Sequence, residues 1–414
     1  MKKYFFIACL LSSAGVYSQN NNSPYSIVGI GDIENSFYNR TSGLANTGVA
    51  YRNDRYMINN NPASYTALQQ QFFNIEIAGN AQFVSYFGTP VNALANSSKD
   101  FAIKRLSIGT KITKRWSSGI GISPFSTSNY GFSAQKPIQG SSVLLPATYD
   151  GNGSVNQAYW NNAYELTKHL SVGVMASYLF GSLNQTEDLF TADLATSLTT
   201  TRQIYLSSFY FNYGAQYYAP ISKHLDLTVG ATYANKTRLA AEYGITVTDN
   251  TGQILSNQIT KNSFFKLPNS FAGGISVAKD KKYIWTTDYK HQAWTNTNNV
   301  GSGFSLQNSD RISAGFEKVN RKQIYNNNFE KSYIQFGAYY GTSYLDISGI
   351  QLQEAGVTFG YGFTSLKTPL AGHIVFELGQ RGTEKNGLVK ELFFNIGFTA
   401  SYRDFWLTKG RKYF

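Results

Sequence analysis

The stretch "ELFFNIGFTASYR", residues 391–403, decides the fold. Leu392, Phe394, Ile396, Phe398, Ala400 and Tyr402 share one parity. Glu391, Asn395, Thr399, Ser401 and Arg403 share the other, together with Phe393 and Gly397. Side chains of a β-strand point alternately to its two faces, so this is a strand with one apolar and one mostly polar face. The split recurs at Leu170, Val172, Val174, Ala176, Tyr178 and Phe180, and again at Leu225, Leu227, Val229, Ala231 and Tyr233. Many such runs exceed about 12 residues, whereas soluble strands usually have about 5–6. A tilted membrane strand needs about 9–11 residues for the hydrocarbon alone.

The composition agrees. Charged residues make up 14% of the 414-residue chain and aromatics 15%, against roughly 25% charged in soluble domains. No run of 18 consecutive apolar residues follows the N-terminus, so no membrane helix is expected. Short turns at Thr113–Trp116, Thr167–Leu170, Ile221–His224 and Lys279–Lys282 alternate with longer polar segments near 134–153, 183–200, 247–258 and 295–305. That is the pattern of an outer-membrane barrel. The expectation is an all-β, antiparallel transmembrane barrel of about fourteen strands. An even count places both of its ends on the short-turn, periplasmic side. The connection near 319–330 reads as long for such a turn. A secreted sandwich or propeller fits less well, for want of shorter strands, proline or a propeller repeat. Trp116, Trp160, Trp285, Trp294 and Trp406 are candidates for interfacial girdles.

Residues 1–18 read as a signal peptide. Lys2 and Lys3 precede the apolar Tyr4–Leu11, and "VYSQ" offers a cut after Ser18. Cys9 is the only cysteine and leaves with the signal, which removes disulfides, thiol catalysis and cysteine-bound zinc. The net charge is +12, but the cations are scattered among strands and turns, so nucleic acid is not an expected partner. Neither a G-x-S-x-G, an HExxH nor a glycine-rich phosphate loop is present. No catalytic residue, metal or cofactor is therefore expected. His373 and Glu377 share an inward face and read as a lumen hydrogen bond rather than an active site.

Residues 19–69 lack long alternation and precede the barrel, 70–414. Fourteen strands enclose a lumen too wide for inward side chains to fill, so this segment is expected to plug it. Within it, Asn61 is a suitable N-cap and Pro62 suits a first helical turn, giving a short helix over 63–68. The same spacing also fits a plain polar turn. In the third strand, Pro124 cannot donate to a ladder, and Gly119 and Gly121 weaken the pairing beside it. An inward kink or wall gap near Ser123–Ser126 is expected, with a harmless bulge as the alternative.

A plug ending in Asn61-Pro62-Ala63 before about fourteen strands resembles the FadL/OmpP1/TodX family of outer-membrane transporters. "SPYSIVGIGD" (23–32), "GIGISPFSTSNYGF" (119–132), "FELGQRGT" (376–383) and "LVKELFFNIGFTASYRDFW" (388–406) look like its Bacteroidota-type branch. The resemblance implies an integral protein of the bacterial outer membrane that takes up hydrophobic small molecules of the long-chain fatty acid kind. It implies movement of the hatch and lateral release through the wall at Gly119, Gly121 and Pro124. Its expected partners are hydrophobic small molecules or lipids, the surrounding outer-membrane lipids and other outer-membrane or periplasmic proteins. The alternative is a non-transporting accessory subunit of an outer-membrane complex, of the barrel-assembly or secretion machinery, with contacts through its loops and a basic periplasmic rim.

Overall fold

The computed structural model describes residues 23–88, 96–137, 140, 142–190, 197–297, 300–301, 304–324, 327–365 and 368–405. The signal peptide, Cys9, residues 19–22, Trp406 and the terminal "RKYF" lie outside them.

Fourteen antiparallel strands close into a barrel. They are β1 (Phe72–Phe87), β2 (Ser97–Lys111), β3 (Trp116–Thr127, continued by Tyr130–Pro137), β4 (Leu144–Glu165) and β5 (Leu170–Phe190). Next come β6 (Ser197–Ser222), β7 (Leu225–Ala234 and Thr237–Asp249), β8 (Ile254–Leu267 and Ser270–Lys279) and β9 (Tyr283–Gln292). The remainder are β10 (Ser309–Ile324), β11 (Asn327–Ile347), β12 (Ile350–Thr364), β13 (Leu370–Gly382) and β14 (Lys390–Phe405). The ring closes where β1 pairs with β14, from Phe72 opposite Phe405 to Phe87 opposite Lys390. Closure leaves no sheet edge at this seam, which a bilayer requires because lipid cannot satisfy backbone groups.

The period-two reading holds in β14. Leu392, Phe394 and Phe398 are exposed on the barrel's outside, while Glu391, Phe393, Thr399 and Ser401 are buried within. Outward aromatics form a stripe across adjacent strands. Phe336 on β11, Phe359 on β12, Phe376 on β13, Phe394 on β14 and Phe83 on β1 follow one another with ring centroids 5.2–6.4 Å apart. Trp116, Trp160 and Trp285 are exposed, as a girdle demands. Trp294 differs. It is 1% exposed and stacks 4.5 Å from Tyr344, because the short turn Trp294–Thr297 folds it into the core.

Three connections also differ from the sequence expectation. Strands β10 and β11 run to Ile324 and from Asn327, so 319–330 is mostly ladder and not loop. Likewise β4, β5 and β6 continue through much of the segments at 134–153 and 183–200, pairing from Ala147 opposite Leu189 and from Phe190 opposite Ser197. Polar Thr, Gln and Asn in these stretches read as loop, yet they are paired as strand, with Leu145, Ala147 and Leu183 buried among them.

Placing a charge on the aromatic stripe tests the orientation. Phe336→Arg is expected to destabilise the folded barrel by up to about 2–4 kcal/mol, read as a lower urea midpoint of folding into lipid vesicles. An unchanged midpoint would mean that this face does not meet lipid.

Candidate functional site

Residues 23–69 run through the lumen from the long-loop end to the short-turn end. The entry is fixed by Ser23, whose N–H donates to the Asn129 carbonyl at 3.2 Å, and by Tyr25, whose hydroxyl donates to the Val389 carbonyl at 2.5 Å. Near the exit, Arg55 donates to the Pro369 carbonyl at 3.1 Å, and Arg403 donates to Gln69. Backbone this irregular must find partners in the barrel wall, and it finds them in two ways.

The first is close approach onto glycine. Gly173 and Gly214 face one another across β5 and β6. A Cβ on Gly214 would lie 2.1 Å from the Asn61 Oδ1, and one on Gly173 would lie 2.5 Å from the Pro62 carbonyl carbon. Asn61-Pro62-Ala63 therefore sits on bare backbone. Asn61 caps the 3-10 helix Pro62–Ala67 by accepting from the Ala63 N–H at 3.0 Å. Its amide donates to the Val49 and Ala215 carbonyls at 2.7 and 3.0 Å, tying two parts of the hatch and β6 together. Similar cross-strand pairs seat other parts of the hatch: Gly230–Gly274 under Val49 and Gly315–Gly337 under Leu44. Gly109 and Gly119 make room for Met57 and Tyr65.

The second is buried charge. Arg40 of the hatch lies between Glu317 of β10 and Glu330 of β11, at 2.7 and 2.6 Å, and over the Tyr333 ring at 3.7 Å. Tyr51 donates to Glu317 at 3.0 Å, and Gln335 donates to it at 2.6 Å. Burial opposes the Arg40 charge, but the two carboxylates outweigh it and hold its pKa well above the ordinary value. Burial also pushes the Tyr51 phenol well up, so it stays a donor. On β2, the ladder with β1 slips between Ala78 and Gly79. This bulge turns the consecutive Lys104 and Arg105 both inward, where they are 7% and 1% exposed. Arg105 donates to Glu76, to Asn59 at 2.8 Å and to the Met57 carbonyl at 3.2 Å. Lys104 donates to Glu34 at 2.6 Å. Asp288 of β9 accepts from the Gly48 and Val49 N–H groups at 2.7 and 2.9 Å. Arg381 of β13 joins Asp32 at 2.7 Å and Glu391 at 2.8 Å.

The wall changes course at Pro124. Strand β3 pairs with β2 only from Ser117 opposite Lys111 to Ile122 opposite Leu106. Gly119 and Gly121 lie inside this paired part, opposite Gly109 and Ser107. The β3–β4 register shifts between Pro124 and Ser126. Beyond it, β3 takes a hatch partner instead: Ser126 opposite Ile33, Thr127 opposite Asp32, with the Glu34 N–H donating to the Phe125 carbonyl at 3.0 Å. The upper β2–β3 seam is thus unzipped, and the hatch covers the β3 lip. A space of about 160 Å³ lies behind Pro124 and Phe125, bordered by Ile33, Phe37 and Met175 but also by Glu34, Asp288 and Arg311. A polar space of about 130 Å³ adjoins the seam at Lys104, Thr127 and Asn129. An apolar cluster packs part of the lumen. Val155, Leu179, Leu183, Ile204, Leu206 and Leu239 pack around Val28 and Ile30 of the hatch.

The residues singled out by the sequence fall in different places. Asn61, Pro62 and Ala63 lie over the bare Gly173 and Gly214, Glu76 accepts from Arg105 and the Met57 N–H, and Pro124 sits at the register shift. Gly119 and Gly121, expected at a wall gap, lie instead in continuous ladder, because glycine there makes room for Tyr65 and Tyr159 without breaking the pairing. Sequence reasoning passed over Arg40, Lys104, Arg105, Asp288 and Glu317. Asp288 and Glu317 are lone charges on lumen-facing strand positions, but Arg40 lies in the hatch, Lys104 and Arg105 both face inward only through the β2 bulge, and the Arg40 partner Glu330 lies 290 residues away. His373 and Glu377 do not meet: Glu377 accepts from Tyr339 and Asn395 at 2.7 and 2.9 Å, while His373 packs on Tyr333.

Two substitutions separate the two modes of attachment. Gly214→Ala is expected to unseat Asn61 and raise protease cleavage between residues 23 and 69, with the barrel still migrating as a folded species on unheated gels. Arg40→Met leaves Glu317 buried without its cation and is expected to cost about 3–5 kcal/mol in urea unfolding. Adding Glu317→Gln should restore part of that loss. No loss in the single variant would show that the pair does not hold the hatch.

Solved structures share the fold. The toluene transporter TodX of Pseudomonas putida superposes with a TM-score of 0.58 at 15% identity, covering 91% of this chain and 99% of that one. A FadL homologue from Pseudomonas aeruginosa gives 0.57 at 12% identity, covering 87% and 97%. The monoaromatic hydrocarbon channel CymD gives 0.55 at 14%, covering 88% and 97%. The fold, with no helix among the described residues long enough to cross a bilayer, is that of an integral outer-membrane barrel. No curated protein matches the sequence. The BamG family matches residues 1–413, and the chain belongs to that family.

Proposed function

We propose that the protein is a closed, non-transporting barrel that acts as a subunit of an outer-membrane complex, that of barrel assembly. The observation that carries this reading is the buried charge joining the hatch to the wall. Glu76, Lys104, Arg105, Asp288, Glu317, Glu330 and Arg381 anchor it from six strands. Stripping one partner from a buried pair costs about 3–5 kcal/mol. Freeing two or three together would cost about as much as a whole domain's stability, 5–15 kcal/mol. A hatch held this way serves as structure better than as a gate. The Bam prefix of the family name supports barrel assembly as the complex concerned.

A second reading is uptake of hydrophobic small molecules with lateral release. The unzipped β2–β3 seam favours it, and so does the space behind Pro124. Asn61-Pro62-Ala63 would then be the fixed end of the hatch, and Pro124 the lip of the exit, just above the paired Gly119 and Gly121. Size narrows the cargo. A cavity of about 150 Å³ holds benzene, so the space of about 160 Å³ suits one aromatic ring and not a long acyl chain. A groove of about 490 Å³ at the outer mouth, bordered by Ile27, Val28, Phe304 and Ile347, would receive it.

Purification from native outer membranes in mild detergent, with protein and lipid both quantified, tests the two together with toluene and oleate entry into proteoliposomes. Stoichiometric protein partners and entry no faster than through empty liposomes are expected. Saturable toluene entry that Gly214→Ala or Pro124→Ala alters, from a protein that purifies alone, would overturn the subunit reading in favour of transport.

A further inference from the structure

Positive charge rims the short-turn mouth, with Lys114, Arg115, Lys168 and Lys223 exposed on other turns, and is densest on one arc. Lys279, Lys281 and Lys282 on the β8–β9 turn and Lys318, Arg321 and Lys322 on β10 are all exposed. The two elements adjoin, since the Val319 N–H donates to the Lys282 carbonyl at 2.8 Å. The acids nearby are committed. Asp280 holds the His224 ring at 2.5 Å, and Glu330, opposite Arg321, holds Arg40. No ion pair engages the six cations among the described residues. The outer mouth is mixed instead, with exposed Asp150, Glu242 and Glu384 among its cations.

Two details argue that the charge is placed for a partner. Asp280 and Lys281 hold φ of 53° and 51°, and the Lys282 N–H donates to the Lys279 carbonyl at 2.9 Å, which is a type I′ turn. Glycine or asparagine relieves such a position, yet a lysine occupies it. Strand β9 begins at Tyr283 opposite Lys318, while β10 continues to Ile324. Arg321 and Lys322 therefore lie about 10–13 Å further along the strand than the last β9 pairing. That exceeds the Debye length of about 8 Å at physiological salt, so charge at the level of the Tyr283–Lys318 pair is screened from them.

We infer that this arc, the β8–β9 turn with the β10 overhang, is a docking surface for an acidic periplasmic segment of a partner protein. The inference rests on the subunit reading above and names the face through which that subunit is held. Charge complementarity selects the partner, because the cations lack acids of their own.

The test uses the full-length protein isolated in mild detergent from its native membrane, beside the variant Lys281→Glu/Lys282→Glu/Arg321→Glu/Lys322→Glu. The reading is the molar ratio of each co-purifying protein at 50 mM and 500 mM salt. At least one stoichiometric component is expected to fall by tenfold or more with charge reversal, and to leave the wild type at high salt. Lys281→Gly supplies the second arm. It relieves the turn, so the barrel's urea midpoint should hold or rise while retention of that component still falls. Partners that stay bound to the four-site variant would overturn the docking surface and leave the subunit reading intact. Absence of any stoichiometric partner would overturn the subunit reading itself. Loss of binding only to vesicles containing phosphatidylglycerol, with every protein retained, would assign the arc to lipid and overturn the inference.

Discussion

Fourteen strands enclose more space than their inward side chains can fill, and what fills it must bring polar backbone out of water without leaving it unpaired. Most of this structure answers that constraint. The hatch is irregular chain whose carbonyls and N–H groups have no ladder of their own. Bare glycine pairs on opposite walls let it approach within contact of the strands. Charged side chains then reach in from the wall to meet the groups that remain, as Asp288 meets two adjacent N–H groups.

The wall answers the same constraint at Pro124. A strand that leaves its neighbour inside a bilayer must find another partner. Strand β3 finds it in Asp32 and Ile33 of the hatch, and so the lip of the seam and the hatch stabilise one another. The bulge on β2 works from the other side, because it turns Lys104 inward to Glu34 while Arg105 takes Glu76. Seam and hatch are consequently one mechanical unit. The lip of the seam and residues 32–34 are thus held by the same set of bonds.

Part of this was legible in advance. The alternation of β14 gave the inside and outside of that strand, and Pro124 marked the register shift in β3. Asn61 marked a cap because side-chain capping is local in sequence. Trp294 was misread as girdle, since nothing local distinguishes an outward tryptophan from one that a turn folds inward. The ladder across 319–330 has no apolar alternation to mark it, because Asn320, Arg321, Lys322 and Gln323 are consecutive polar residues, all exposed.

The sequence alone determined the barrel and set residues 19–69 apart as an expected plug, because strand periodicity and N-terminal composition are local properties of the chain. Only the tertiary structure decided how firmly the plug is held. Arg40 meets Glu317 and Glu330 across more than half the chain, and Gly173 meets Gly214 across a hairpin. A lone inward charge or a lone glycine carries no local mark of its partner. What pairs them is the closure of the ring, which brings strands from both ends of the sequence around one lumen.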